Sequence, residues 1–133
     1  NVHIVDVGAR MGGNLIGSHI IPMGTGIDYM GNMIRAAVGD ATNWKPEWQP
    51  KPVATKLLAL TPGIIKKLPN FDQIAAEYNV QIEHHLHEGN TITPYRTNLD
   101  GCGYVVAHDI DVELSIALAS EVRNIIDKLI VRE

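Results

Sequence analysis

Aromatic side chains are scarce in this chain, at 5% of 133 residues with a single Phe. Leu, Ile, Val and Ala must therefore fill the core, within an apolar content of 45% that is ordinary for a globular protein. A basic excess is also missing. The net charge is -4, which excludes nucleic acid as the main partner, because phosphate backbones demand clustered Lys and Arg. No apolar run approaches the roughly 18 to 20 residues that cross a bilayer. No charged segment followed by an apolar one opens the chain as a signal peptide does, so no membrane partner is expected. Cysteine is reduced to Cys102, which cannot form an internal disulfide and fits a reducing cytoplasm. Between Gly101 and Gly103 it could be a reactive thiol. No His or Asn stands near it in a protease-like pattern, however, so a structural role is expected.

An initiator Met is absent as well: Asn1 leads straight into residues that alternate as a strand, Val2 to Val7. The chain therefore reads as an excised piece of a longer protein. Its length suits one domain, or two small lobes sharing a core. After the first strand comes a glycine-rich loop, Gly8 to Asn14. From Ile27 to Val38 the period is helical, with Met30, Met33, Ile34, Ala37 and Val38 on one stripe that should face the core, and Gly39 supplies the stop. Residues 40 to 52 hold Trp44, Trp48 and three prolines, a density that forbids regular structure. That segment is expected to connect two lobes, with the tryptophans as an apolar plug between them.

Beyond it the period changes. Val53 to Leu60 is an apolar strand run, Pro62-Gly63 a turn, and Ile64 to Leu68 a second strand. Phe71 to Tyr78 reads as a short helix. Val80 to His87 alternates, with Val80, Ile82, His84 and Leu86 on one face, so His84 is expected partly buried. Glu88-Gly89-Asn90 predicts a hairpin turn and Thr91 to Tyr95 its return strand, weakened by Pro94. Gly103 to His108 is expected as the last strand. Asp111 then caps a helix whose stripe is Leu114, Leu118, Val122, Ile125, Ile126 and Leu129. The sum is an α+β fold of mostly antiparallel strands with flanking helices.

The most informative stretch is Val5-Asp6-Val7-Gly8-Ala9-Arg10-Met11-Gly12-Gly13. Alternation puts Asp6 and Gly8 on one face, with Arg10 near it where the chain stays extended. Glycines let backbone N–H groups approach an anion. Arg10 offers a planar fork for carboxylate or phosphate oxygens. An acid for a divalent cation, an arginine for an anion and bare backbone between them suit phosphoryl transfer. A tight loop with a charged pair is the plainer alternative.

These residues resemble the acid-x-Asn-x-Arg-x-Gly-Gly strand and loop that end the catalytic sheet of ATP-grasp enzymes. The resemblance implies that Asp6 binds magnesium, that Arg10 is catalytic and holds an acyl phosphate or carboxylate, and that Gly12 and Gly13 bind substrate. Gly8 stands where many members have Asn, which removes one metal ligand. The longer match, through Ile16-Gly17-Ser18 to Thr25-Gly26-Ile27-Asp28, is similar to L-amino acid ligases and carbamoyl-phosphate-synthase-like proteins. Pro62-Gly63-Ile64-Ile65 and Gly101-Cys102-Gly103-Tyr104-Val105-Val106-Ala107 are similar to the C-terminal subdomain of such ligases. By this resemblance residues 1–45 end a catalytic lobe and residues 46–133 form a C-terminal α+β subdomain. The parent would join a small carboxylate to an amine or ammonia with ATP and Mg2+. No lysine precedes Lys45, so the nucleotide-gripping parts belong to N-terminal lobes, and the chain alone is not expected to bind ATP.

Other candidates are weaker. Glu83, His85 and His87 share a strand face and could ligate zinc or nickel, but a structural zinc site wants four ligands, so an exposed face is the expected account. Ser18 and His19 should point apart on a strand, and no G-x-S-x-G elbow is present. In the family reading they line the substrate pocket. The alternative to an enzyme part is a non-catalytic α+β assembly domain with a degenerate loop, homodimeric through Leu57 to Leu60 and the last helix.

Overall fold

A computed structural model of the chain describes His3 and residues 10–133. The expected strand at 2 to 7, with Asp6 and Gly8, lies outside the described residues. The chain divides into two compact units, Asn1–Pro50 and Lys51–Glu133.

In the first unit a π-helical turn, Ile16–Ile20, runs into a short helix α1, Ile21–Thr25, and then α2, Tyr29–Val38. Asp28 caps α2 by accepting the Gly31 N–H at 2.9 Å, and Gly39 ends it in the left-handed region at φ 81°. Residues 40 to 52 have no regular structure, as their prolines dictate. Both tryptophans are spent on this unit's own helices. Trp44 meets the Tyr29 ring edge-on at 5.8 Å. Trp48 donates its indole N–H to the Met23 carbonyl at 3.3 Å and lies over Gly26. A Cβ on Gly26, whose φ is 72°, would sit 2.8 Å from that indole, so only glycine fits.

The α2 stripe is the main surprise. Met33, Ile34 and Val38 face outward, and the buried residue of the helix is Asn32. Its amide donates to the Asn43 carbonyl at 2.6 Å and accepts the Asn43 N–H at 2.8 Å. A side chain that satisfies both backbone groups of the returning chain holds the polar face of α2 inward, against its hydrophobic pattern.

The second unit is built from two three-stranded antiparallel sheets. Strands β1 (Val53–Leu57), β5 (Gly103–His108) and β3 (Gln81–His84) lie in that order, with Thr55 opposite Val106 and Ile82 opposite Val105. Strands β4 (Thr91–Ile92), β2 (Gly63–Lys67) and β6 (Val131–Arg132) form the other. Helix α3 spans Phe71–Tyr78, capped by Asn70, and α4 spans Val112–Leu129, capped by Asp111 through the Leu114 N–H at 2.7 Å. One apolar cluster unites Leu58, Ile65, Val105, Val122 and Ile126 with their neighbours. Each such side chain contributes about 1.5 to 3 kcal/mol on full burial.

Four expectations are corrected here. Thr91–Ile92 does not return along β3; it pairs with β2, Gly63 opposite Ile92, because the chain at Gly89-Asn90 bonds to Ile65 in both directions. Gly103–His108 is not the last strand, since β6 follows α4. The buried face of α4 is Ser115, Ala119, Val122 and Ile126, while Leu114 and Leu129 are exposed. Val122 and Ile126 of the expected stripe are buried and Leu118 and Ile125 half-buried; the face is turned at its ends, where Ser115 and Ala119 lie inward in place of Leu114 and Leu129. Leu58 and Leu60 are buried, which removes them from any dimer surface.

Candidate functional site

The loop that follows Arg10 is held by an unusual backbone. Arg10 is exposed and its guanidinium donates to the Met11 carbonyl at 3.1 Å. Gly12 rests against Ile16, whereas a Cβ on Gly13 would meet nothing within 4 Å. Gly13 is exposed, with open space on its Cα. Asn14 and Leu15 then adopt φ 54° and 63°. Asn tolerates the left-handed region; for Leu it costs about 1 kcal/mol or more. The Gly13 carbonyl accepts the Ile16 N–H at 3.2 Å, and the Leu15 carbonyl accepts both His19 and Ile20 N–H groups at 2.9 and 3.0 Å. Those last bonds close the π-helical turn, a geometry that concentrates at functional sites.

That turn corrects the placement of Ser18 and His19. They are not on a strand, and they do not point apart: Ser18 Oγ and His19 Nδ1 share a hydrogen bond of 2.8 Å. Gly17 is buried, with the Tyr29 ring and the Met11 sulfur 3.2 and 3.3 Å from where a Cβ would stand. This contact ties the turn to α2. Arg10, Gly12, Gly13, Ser18 and His19 therefore lie on one continuous stretch, while Asp6 falls outside the described residues. The left-handed pair and the π-helical turn were not anticipated. Asn14 after two glycines was a readable signal for the first; nothing in Leu15 or Ile16 announced the second.

Nearby in the same unit, a cavity of about 210 Å³ is lined by Gly26, Asp28, Arg35, Asn43, Lys45 and Glu47. Arg35 crosses it to Asp28 at 3.0 Å and to Asn32 at 3.3 Å. Its wall carries two cations and two acids, so it has no net sign.

The remaining candidates lie in the second unit. Glu83, His85 and His87 are exposed, and among the described residues no three His, Cys, Asp or Glu side chains come together as a metal-ligand set. His84 is not a core residue. It is exposed, with its ring on Phe71 at 3.8 Å and Nδ1 accepting the Leu86 N–H at 3.2 Å. Partial burial, followed by the His87 charge, pushes its pKa below the ordinary imidazole value. Cys102 is buried, and that burial pushes its thiol pKa up, the opposite of an activated nucleophile. Among the described residues no helix is long and apolar enough to cross a membrane.

No family model and no curated protein matches the sequence. Among solved structures the chain is similar to phosphoribosylglycinamide synthetase from Anaerococcus prevotii, with a TM-score of 0.65 at 13% identity. The match covers 90% of this chain and 30% of that one, so the chain spans less than a third of the length of the structure it resembles. At that identity the likeness speaks to fold and not to chemistry: the chain has an α+β fold like part of that synthetase, an ATP-grasp-like fold.

Proposed function

We propose that the chain is the C-terminal part of an ATP-dependent ligase that joins a carboxylate to an amine or to ammonia. The observation that carries this reading is an exposed Arg10 near the exposed glycines Gly12 and Gly13, on a chain with an ATP-grasp-like fold. In the reaction a carboxylate oxygen takes the γ-phosphoryl group of ATP and ADP leaves. The amine then attacks the acyl carbon, and inorganic phosphate departs with the electron pair of the C–O bond. The Arg10 fork holds the acyl phosphate, and the Gly12 and Gly13 N–H groups face its developing charge. Asp6 holds Mg2+, and Ser18 and His19 line the substrate pocket. ATP-binding lobes beyond this chain grip the nucleotide, in a cytoplasmic enzyme of the L-amino acid ligase or carbamoyl-phosphate-synthase-like subgroup.

In the full-length ligase, Arg10→Ala should lower kcat by about 10² to 10³, the scale of one lost transition-state donor. Its circular dichroism should stay unchanged, because Arg10 is exposed and, among the described residues, bonds to its neighbour Met11. Undiminished turnover would remove Arg10 from the mechanism. Calorimetry of the 133-residue chain with ATP and Mg2+ should register no micromolar binding; a micromolar constant would overturn the part-enzyme reading.

A second reading, a non-catalytic assembly domain, draws on α4, where Val112, Ile116 and Leu129 are at least half exposed. Under it the chain sediments as a homodimer that Ile116→Glu dissociates, and no ligase activity accompanies the full-length protein.

A further inference from the structure

Three elements of the second unit border a groove of about 450 Å³. Tyr78 is the last residue of α3 and Asn79 its cap, His108 ends β5, and Asp109 and Ile110 lead into α4, which adds Leu118. Hydrogen bonds hold this frame. The Asn79 and Val80 N–H groups both reach the Ala75 carbonyl, with Asn79 left-handed at φ 51°. The Asp109 N–H reaches the buried Ser115 hydroxyl at 2.9 Å, and Asp109 Oδ1 accepts the Ile110 N–H at 2.6 Å. Tyr78 and Leu118 pack against the apolar cluster. A groove built in this way is formed before anything enters it, so binding orders little.

Its polar side chains are unpartnered. Among the described residues the Tyr78 hydroxyl, the Asn79 amide and the His108 imidazole bond to nothing, and no cation pairs with the Asp109 carboxylate. Tyr78, His108 and Asp109 are nevertheless half-buried. All four groups can accept a hydrogen bond. The Asp109 charge and the C-terminal end of α3 make this wall negative, while the lining cation, Lys51, already has an interaction of its own. Leu118 and Ile110 supply apolar surface beside the acceptors. We propose that the groove binds a small organic ammonium that carries an apolar chain or ring. An ammonium has three donors and no acceptor, which matches this wall, and Asp109 is its counter-ion. The apolar part lies along Leu118 and Ile110. A carboxylate of the same size meets Asp109 and the α3 carbonyls with the wrong sign. The site draws on residues of the second unit alone and does not depend on the ligase reading.

The test is an NMR titration of the 133-residue chain at pH 7 with three probes that differ in the head group: 2-phenylethylammonium, 2-phenylethanol and 3-phenylpropionate. The ammonium should shift the amide signals of Asn79, Asp109 and Ile110 saturably, with a Kd of about 1 mM or below. The alcohol and the carboxylate should bind about tenfold or more weakly. Asp109→Asn keeps an oxygen for the Ile110 N–H and loses the charge, and should weaken the ammonium about tenfold or more. Ile110→Lys changes a side chain that is 84% exposed. It should weaken the ammonium without unfolding the chain, and it carries the test where Asp109→Asn fails to fold. Alcohol binding as tight as that of the ammonium would overturn the proposal, since the groove would then recognise only the ring. Tighter binding of the carboxylate would give the wall the opposite sign. Shifts confined to other residues, no shifts at all, or an unchanged Kd in both variants would each discard the site.

Discussion

Asp127 sits near the C-terminus of α4, where the helix dipole disfavours an acid. It is retained because three donors converge on its carboxylate. Thr61 gives its N–H at 2.9 Å and its hydroxyl at 2.8 Å, and the Arg132 guanidinium pairs with the same carboxylate. Arg132 also donates to the Asp127 carbonyl at 2.7 Å, which fastens β6 to the end of α4. Burial alone would raise the carboxyl pKa; the Thr61 bonds and the Arg132 and Arg123 charges outweigh it and hold the value below the usual carboxylate range. A carboxyl depressed in the folded state stabilises fully above its unfolded pKa of about 3.9, and the contribution is lost as pH falls through the lower folded value. Asp127→Asn should therefore cost about 1 to 3 kcal/mol in urea unfolding at pH 7. The gap should close below about pH 4. A gap of the same size at pH 7 and pH 3 would show that the charge contributes nothing.

At the scale of elements, β3 and β5 approach so closely that one residue between them has no room for a side chain. Gly103 has φ 143°, and a Cβ there would sit on the Glu83 carbonyl and the His84 Cα. Gly103→Ala should cost at least about 2 kcal/mol by denaturant midpoint and weaken the β3–β5 pairing, since strain and a backbone clash add. A midpoint within error of the wild type would mean the strands can separate at no cost. Ser115 fits under the sheet because its hydroxyl accepts the Asp109 N–H at 2.9 Å and donates to the Asp111 carbonyl at 2.7 Å. A buried serine satisfied in this way outranks Leu114 for the inner face, which hydrophobicity alone would not foretell.

For the whole molecule the asymmetry of burial sets the stability map. Every member of the apolar cluster lies at or beyond Leu58, whereas the first unit buries only glycines and Asn32 among its described residues. Amide exchange should therefore be slowest in β5 and the buried turns of α4, and at least about a hundredfold faster in α2, where no described apolar side chain is fully buried. Equal protection in α2 and α4 would mean the first unit is stabilised by something other than its own packing.

Local chemistry was legible wherever one residue type suffices. Asp111 and Gly39 marked helix ends, the period gave Phe71 to Tyr78 as α3, and the prolines of 40 to 52 forbade regular structure. Of the site, the residues from Arg10 to His19 were singled out by glycine density, charge and resemblance, but not their geometry, because a π-helical turn and a left-handed leucine are set by the bonds around them. Partner choice was beyond the sequence. Thr91–Ile92 joins β2, and Asn32 turns α2 over. Both depend on atoms brought together from distant positions, and periodicity records only that a face is apolar, not what will cover it.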